Sequence, residues 1–370
     1  MEIFRPYSFD KTLFVTTLIL IIFGLIMVFS SSGVLASEKY NQPFYFLFHQ
    51  LIGVGIGLFI ILVMLSVRTP FYQNSLFIFG LLFLNFLFLL SCLLIPSFAQ
   101  TNRWIQLFGF HFQPSELAKI SLILFIAFLA DRKKEKFHEA PHFLFPLSIL
   151  FVFILLIIRE PDYGTAFLIL SIGAIMFFIG GVKYKYFIFL GIGTAGLFLF
   201  YLVQSPYRMN RILAFISPYK DPLGKGFQVI QSKLAVGAGG IFGVSIGESV
   251  QKLFFLPCAH TDYIFAIIGE ELGLMGTLAI LILFLLLLWR GLAISLKAPD
   301  SFSQMVSAGL ILAIFFQAML NISVVLGLSP PTGFPLPLIS FGRSSLICTL
   351  FGIGILLHIS QRKRTPGRKK

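Results

Sequence analysis

Charged residues are scarce in this chain: Asp, Glu, Lys and Arg make up 12% of its 370 residues, about half the share that a soluble domain carries. Acidic residues are the scarcest of these, with 15 against 28 basic ones and a formal net charge of +13. Cysteine occurs three times, at Cys92, Cys258 and Cys348. An odd number without paired spacing predicts neither a disulfide framework nor a zinc site. The composition therefore excludes an ordinary soluble domain.

Hydrophobic residues are abundant: they form 57% of the chain, and 46 residues are Phe. Apolar runs of roughly 18 residues or more recur throughout, and each can cross a bilayer core of ~30 Å. The alternating period-2 segments of a membrane β-barrel are absent, so helices must satisfy the backbone polar groups in the bilayer. The sequence predicts an all-α polytopic membrane protein, a single integral-membrane domain over 1–370, with about ten spans: 13–31, 44–66, 74–96, 115–130, 143–159, 164–181, 184–203, 263–289, 304–327 and 336–359.

Most basic residues fall on one side of these predicted spans, among them the run "DRKKEK" at 131–136 and the basic tail 361–370. Since short loops rich in Lys and Arg stay in the cytoplasm, both termini are predicted to be cytoplasmic. A nucleic acid partner is excluded, because these residues lie at membrane edges, where they contact anionic lipids, and no aromatic stacking platforms accompany them.

One connection is long: residues 204–262 form a large loop on the predicted outer face, between the seventh and eighth spans. Within it, 209–216 and 227–236 indicate short interfacial helices, each apolar on one side and basic on the other, and "DPLGKG" at 221–226 indicates a turn. Two interpretations are open: a flexible surface loop, or a loop that lies on the membrane and covers a cavity. The loop glycines indicate backbone that bends or approaches another segment closely: Gly237, Gly239, Gly240, Gly243 and Gly247.

Ionisable residues at membrane depth are functional candidates, because each is costly unless it is paired or hydrated. Asp262 stands at the start of the eighth span, where it either caps the helix or serves chemistry at the membrane edge. His260, two residues earlier, is either a proton partner or a hydrated loop residue. Glu270 and Glu271 lie about two turns deeper and serve helix packing and hydrogen bonding, or alternatively a proton path.

Three further segments carry polar residues towards the predicted outer face. In "NRWIQLFGFHFQPSELAKI", at 102–120, Glu116 and Lys119 are three residues apart and can form an ion pair on one helix face. "REPDYGTA" at 159–166 is a charged turn between two spans. "SPPTGFPLPLISFGRSSL" at 329–346 has prolines and glycines that interrupt the entry to the last span, a sign of irregular backbone lining a cavity. These residues predict an enzyme that acts on a lipid-linked anionic substrate, or a transporter for one.

The chain resembles the SEDS family (shape, elongation, division and sporulation) of bacterial cell-wall glycosyltransferases over residues 12–360. Several long motifs carry the resemblance in the expected order: "NRWI…FQPSELAK", "EPDYGTA", "YRMNRILAF…DPLGKGFQ…QSKLAVGAGGIFG", "SVQKLFFLPCAHTDYIFAIIGEELG" and "PPTGFPLPLISFGRSSL". "SVQK" and "AHTDYIFAIIGEELG" favour the division branch of the family. The resemblance implies polymerisation of lipid II into glycan strands on the outer face of the cytoplasmic membrane, at the division septum.

The resemblance also implies roles for particular residues. The family's essential aspartate corresponds to Asp262, whose expected role is that of a general base for the acceptor sugar's 4-hydroxyl. The leaving undecaprenyl pyrophosphate needs its charge stabilised, and a Mg²⁺ or Mn²⁺ ion there is compatible with the resemblance, although no residue identifies a metal site. The implied substrate-binding residues are Arg208, Arg211, Lys119, Lys252, Lys233, Arg103, Glu116, which would hold Lys119 in place, and His260.

A class B penicillin-binding protein, a transpeptidase, and other division proteins are the partners that the resemblance implies. The chain departs from the family's pattern at two positions, with Cys258 where the family usually has Glu, and Arg343 in place of a Gly. Two alternative functions stay open: a lipid II flippase, and a non-catalytic scaffold for the transpeptidase.

Overall fold

A computed structural model of the full chain shows a bundle of long helices with very little β-structure. It describes residues 9–67, 69–94, 103–107, 110–187, 191, 209, 212–213, 215–224 and 226–362. Ten helices longer than ten residues lie in these ranges: α1 Lys11–Tyr40, α2 Tyr45–Ser66, α3 Ser75–Leu94, α4 Pro114–Arg132, α5 Ala140–Arg159, α6 Tyr163–Ile179, α7 Phe227–Ala238, α8 Ile264–Lys297, α9 Ser301–Val325 and α10 Arg343–Gln361.

The helices confirm the predicted polytopic architecture. Within the described ranges, seven of them are long and apolar enough to cross a membrane, and α6 is a shorter apolar helix. The predicted span 184–203 lies mostly outside the described residues, and of the predicted interfacial helix 209–216 the described residues 209, 212–213 and 215–216 are helical. The second predicted short helix of the loop is present as α7, and the turn at 221–226 is confirmed by the hydrogen bond from Gly226 N to Asp221 O (3.0 Å).

Helix α4 lies at the centre of the bundle, packed against α3, α6 and α9, and most of its residues are buried. The outer helices leave large apolar side chains exposed, such as Leu76 and Phe83 of α3. Close approach between helices depends on small residues, because only these let two backbones meet. At the contact of α2 with α10, a β-carbon on Gly57 would lie 2.1 Å from Leu350 Cδ1.

Several predicted boundaries are wrong. Helix α1 continues to Tyr40 and α8 to Lys297, well past the predicted ends at 31 and 289, because hydropathy detects the lipid-covered part of a helix and not the turns that extend beyond it. The last helix begins at Arg343 and not at 336. The segment before it, 329–342, contains four prolines, which cannot donate backbone hydrogen bonds to a helix.

Helix α8 is broken at Gly273, which has the positive φ of +63° that favours glycine. Part of the large loop occupies the break: Val244 N donates to Glu270 O (3.0 Å), and Leu274 N donates to Gly240 O (2.9 Å). A β-carbon on Gly243 would lie 2.1 Å from Glu271 O, which confirms the predicted close approach. The loop thus satisfies backbone groups that the helix releases, as the low-dielectric bilayer requires.

A two-stranded antiparallel hairpin precedes α4. Its strands are β1 Ile105–Leu107 and β2 Phe110–Phe112, with Ile105 opposite Phe112. Pro114 begins α4 with a residue whose missing N–H costs nothing at a first helical turn. The hairpin therefore ends next to the buried polar residues of α4.

Candidate active site

Asp262 lies in the turn that leads into α8. The helix begins at Ile264, and Tyr263 holds the N-cap position. The turn is closed by two backbone hydrogen bonds to Cys258 O, from Thr261 N (3.1 Å) and from Tyr263 N (3.3 Å). Asp262 is only partly buried, unlike the core residues that follow it in the helix. Its carboxylate is therefore at the start of an apolar helix without being enclosed by it.

Neighbouring segments hold the backbone of residues 260–262 in place. Phe341 N donates to His260 O (3.0 Å), and Ser340 Oγ donates to Thr261 O (2.6 Å). Asn321 Nδ2 of α9 donates to Asp262 O (2.8 Å) and to the carbonyl of the loop before α10. Three consecutive carbonyl groups are thus occupied, which fixes the position from which the Asp262 side chain extends.

A cavity of about 120 Å³ lies beside Asp262. Its walls come from three parts of the fold: Gln228 of α7, Asn321 and Val324 of α9, and residues 331–334 before α10. Gly333 has a φ of +79°, and a β-carbon there would lie 3.6 Å from Asp262 Oδ2. The cavity has room for about four waters, so the carboxylate faces space in which a hydroxyl group can approach.

Cys258 and His260 of this turn both have shifted pKa values. Burial, and then the charge of Asp262, raise the pKa of the Cys258 thiol. Burial, and then the charge of Lys39, lower the pKa of His260 to about 4. The His260 ring packs against Phe46, with ring centroids 4.6 Å apart, and is not among the residues that line the cavity. Asp262 is thus the candidate base in this turn.

Glu116 and Lys119 form the predicted ion pair on α4. Lys119 Nζ lies 2.8 Å from Glu116 Oε2 and donates to Gln317 Oε1 of α9 (2.6 Å), and both charged groups are buried. Gln317 Nε2 donates in turn to Pro335 O (3.1 Å). Because Gln317 lies one helical turn from Asn321, the ion pair and the Asp262 backbone are held by one face of α9.

Lys252 is also paired. Its Nζ lies 2.8 Å from Glu271 Oε1, and Ser30 Oγ of α1 donates to both oxygens of the same carboxylate (2.6 and 2.7 Å). Glu270 accepts hydrogen bonds from Ser249 Oγ and from Val250 N (3.0 Å). The prediction that both glutamates serve hydrogen bonding is thus confirmed. Their carboxylates bind residues of the large loop and so fix the loop against α8.

Lys233 and Arg103 occupy different surroundings. Lys233 is an exposed residue of α7, and its side chain lies against Gly327. A β-carbon at Gly327 would lie 2.6 Å from Lys233 Nζ. Arg103 donates from Nε to Glu160 O (2.9 Å) and from Nη2 to Pro161 O. Arg103 thus ties the segment before β1 to the charged turn between α5 and α6. Arg208 and Arg211 lie outside the described residues.

The charged turn contains two buried carboxylates with opposite surroundings. Asp162 caps α6 and accepts from Thr165 N (3.2 Å), and from the side chains of Gln113 (2.9 Å) and Ser115 (3.3 Å). Neither carboxylate oxygen of Glu160 has a hydrogen-bond partner among the described residues. Burial, and then the charge of Asp162, raise the pKa of Glu160 to about 9, although Arg103 opposes the shift.

Sequence reasoning did not single out Gln317, Asn321 or Gly333. A signal was present for the first two, because amides four residues apart in an apolar helix face one side and form hydrogen bonds between helices. Among the described residues, no group of three or more His, Cys, Asp or Glu side chains is arranged to hold a metal ion.

Comparison with known proteins identifies what the chain is similar to. The family model for cell cycle proteins of the FtsW/RodA/SpoVE type matches residues 10–365. Stage V sporulation protein E of Bacillus subtilis (strain 168) is 42% identical over 366 residues, covering 97% of this chain and 99% of that protein. The probable peptidoglycan glycosyltransferase FtsW of Geobacter sp. (strain M18) is 38% identical, covering 97% and 99%.

Two solved structures share the fold. A chain of a peptidoglycan synthase complex, whose structure describes the coordination of polymerization and crosslinking, is 27% identical with a TM-score of 0.76, covering 95% of this chain and 98% of that one. The rod shape determining protein RodA of Thermus thermophilus is 24% identical with a TM-score of 0.70, covering 97% and 98%.

Proposed function

Because the chain belongs to the FtsW/RodA/SpoVE family of cell cycle proteins, we propose that it is a peptidoglycan glycosyltransferase that polymerises lipid II on the outer face of the cytoplasmic membrane during cell division. One observation carries the proposal: a partly exposed carboxylate, Asp262, faces a cavity at the start of an apolar helix, on a backbone that neighbouring segments hold in place. A lipid tail can stay in the bilayer there while its sugar reaches water.

Asp262 acts as the general base in this proposal. It takes the proton from the 4-hydroxyl of the acceptor sugar as that oxygen attacks the anomeric carbon of the donor, and the bond to the pyrophosphate oxygen breaks. An α-linked donor gives a β-linked product, so one displacement with inversion requires one base. His260 does not line the cavity and packs against Phe46, and the Cys258 thiol, whose pKa is raised, is protonated and accepts no proton at physiological pH.

The leaving pyrophosphate needs cations, and the predicted candidates divide into two groups. Lys119 and Lys252 are buried and paired with glutamates, which supports a positioning role for both. Lys233 on the exposed side of α7 is available to the pyrophosphate, and the loop residues Arg208 and Arg211 stay predictions for the same role. Arg103 is engaged with backbone carbonyls, and we assign it to positioning as well.

A Mg²⁺ or Mn²⁺ ion stays a proposal. Asp262 is the one carboxylate among the described residues that line the cavity, with the amides Gln228 and Asn321 beside it. Mg²⁺ binds through one or two carboxylates together with substrate phosphates, so these residues fit an ion that arrives with the pyrophosphate. Bound there, the ion would neutralise charge on the leaving group.

We also propose a class B penicillin-binding protein as the partner, in a complex with other division proteins at the septum. The similarity to a chain of a peptidoglycan synthase complex supports this. The large loop offers an exposed apolar surface that a partner could cover, including Phe242 (81% exposed) and Ile246 (57%). Consistent failure to co-purify with the cognate transpeptidase would contradict this part of the proposal.

The test is lipid II polymerisation by the purified full-length chain with its cognate transpeptidase, with products separated by gel electrophoresis. The Asp262→Asn variant should lose at least about 100-fold in rate, the lower bound for removing a general base. Glu248→Gln is the matched control, because Glu248 is an exposed carboxylate of the same loop. Equal polymerisation rates for wild type and Asp262→Asn would contradict the assignment of Asp262 as the base. Transport of lipid II across the membrane without polymerisation would favour the lipid II flippase.

A further inference from the structure

A second cavity lies at the opposite end of α8 from Asp262. It measures about 550 Å³ and is bounded by the beginning of α1, the end of α8 and the end of α10. The part of α8 after the break at Gly273, residues 274–297, is about 36 Å long at 1.5 Å per residue, so the two cavities are separated by more than the thickness of a bilayer core. The second cavity is thus at the other membrane face, which the distribution of Lys and Arg predicts to be cytoplasmic.

Four cationic side chains from three helices line this cavity, together with one carboxylate, Asp10. Arg290 is paired with Asp10, and Arg362 lies 3.4 Å from Asp300. Lys11 and Lys297 are exposed and form no ion pair or hydrogen bond through their side chains with any described residue. The cavity therefore holds more positive charge than its own acidic residues neutralise, and it attracts an anion.

The surroundings of the cavity are apolar on the side that faces lipid. Helix α8 carries an exposed apolar stripe on the face next to the one that lines the cavity, formed by Ile282 (61% exposed), Leu285 (46%), Trp289 (60%) and Leu296 (73%). The Arg290 guanidinium lies 5.2 Å from the centre of the Trp289 ring. A Trp at this level is typical of the membrane interface, so the cations and Leu296 are at headgroup height, while Ile282 and Leu285 are at acyl-chain height.

We propose that this cavity binds the headgroup of an anionic phospholipid, with its phosphate at Lys11 and Lys297 and its acyl chains along the stripe of α8. Basic pockets between membrane helices bind anionic lipid headgroups in this way. The stripe favours a lipid over a soluble phosphate compound, because a soluble ligand would use the cations and leave the adjacent apolar surface unused. The site is independent of the polymerisation reaction, since it shares no residue with the Asp262 cavity.

Native mass spectrometry of the purified full-length chain tests the proposal. Phosphatidylglycerol and phosphatidylethanolamine with the same acyl chains are titrated separately, and the fraction of protein carrying one lipid is measured. Wild type should retain phosphatidylglycerol preferentially. The double variant Lys11→Ala, Lys297→Ala should weaken that binding about thirtyfold, since each cation near a membrane surface contributes about 1 kcal/mol. The charge-preserving variant Lys11→Arg, Lys297→Arg should bind as wild type does.

The control variant Lys134→Ala, Lys136→Ala removes the same charge from exposed positions outside the cavity. Equal weakening in both alanine variants would overturn the proposal, because the effect would then be general surface attraction. Equal retention of the two lipids by wild type would also overturn it. In a third titration, inorganic phosphate that displaces phosphatidylglycerol at millimolar concentration would assign the site to a soluble phosphate and reject the lipid.

Discussion

Asp262 and the pair Glu270 and Glu271 lie within ten residues of one another, yet they have different surroundings. Asp262 is partly exposed and faces a cavity. Glu270 and Glu271 are buried, and their carboxylates accept hydrogen bonds from Ser249, Ser30 and Lys252. A carboxylate at membrane depth is costly unless it is paired or hydrated. The two glutamates are bound by protein groups, and Asp262 lies at the wall of a cavity.

The difference has a structural cause. The two glutamates come directly before the break in α8 at Gly273. There the large loop packs into the break, and its Val244 and Ser245 N–H groups donate to the carbonyls of residues 270 and 271. The glutamate side chains bind the same loop a few residues further on, at Ser249 and Lys252. Their charges therefore hold the loop onto the helix, and the loop and helix together form the surroundings of the cavity. Asp262 alone of the three keeps access to it.

Neutralising one carboxylate at a time separates the role of Asp262 from that of the two glutamates. Asp262→Asn should produce the largest effect of all, a loss of at least about 100-fold in polymerisation rate, with the thermal unfolding midpoint in detergent close to that of wild type. Its side chain is partly exposed and faces a cavity, and an amide of the same shape fits in the same place. A large fall in the unfolding midpoint of this variant would contradict the division into a reactive and a structural carboxylate.

Glu271→Gln should act mainly on stability. It leaves the buried Lys252 ammonium without its ionic partner, and breaking a buried pair in this way costs about 3–5 kcal/mol. The measurement is thermal unfolding of the purified protein in detergent. Adding Lys252→Met should recover part of the loss, because the uncompensated charge is then gone. A full loss of rate with an unchanged midpoint would show instead that Glu271 takes part in the reaction.

The sequence predicts contacts between residues that are close along the chain, and it does not predict contacts that only the tertiary fold creates. Glu116 and Lys119 were predictable as a pair because helical periodicity places residues three apart side by side. The partner of Lys252 was not, because it depends on a loop returning to a helix 19 residues later in the chain and on Ser30 of α1. The prediction for Asp262 came from the family's motif, while the walls of its cavity come from helices that only the tertiary fold brings together.

Glu160 and Asp162 form a similar pair of contrasting carboxylates at the turn between α5 and α6. Here we expect an effect on stability and its pH dependence only. Since burial raises the pKa of Glu160 to about 9, the folded state holds one proton more than the unfolded state between pH 4.5 and 9, and stability falls as pH rises through that window. Glu160→Gln should therefore stabilise the protein at pH 8 by up to about 5 kcal/mol, since each pH unit of that window contributes about 1.4 kcal/mol, and by little near pH 4.5. Unfolding midpoints at the two pH values measure it, and an equal shift at both would contradict it.

His260 gives the smallest effect and tests whether this residue of the Asp262 turn is structural. Burial lowers its pKa to about 4, so between pH 6.5 and 4 the unfolded state binds a proton that the folded state does not. Stability therefore falls as pH drops through that window. His260→Phe should keep the packing against Phe46 and Phe341 and make stability less dependent on pH in this window. The polymerisation rate at pH 7.5 should stay within about twofold, since a packed ring that does not line the cavity supplies none of the ~10²-fold gain of acid–base catalysis. A rate loss as large as that of Asp262→Asn would place His260 in the proton transfer, and the contrast within this turn would fail.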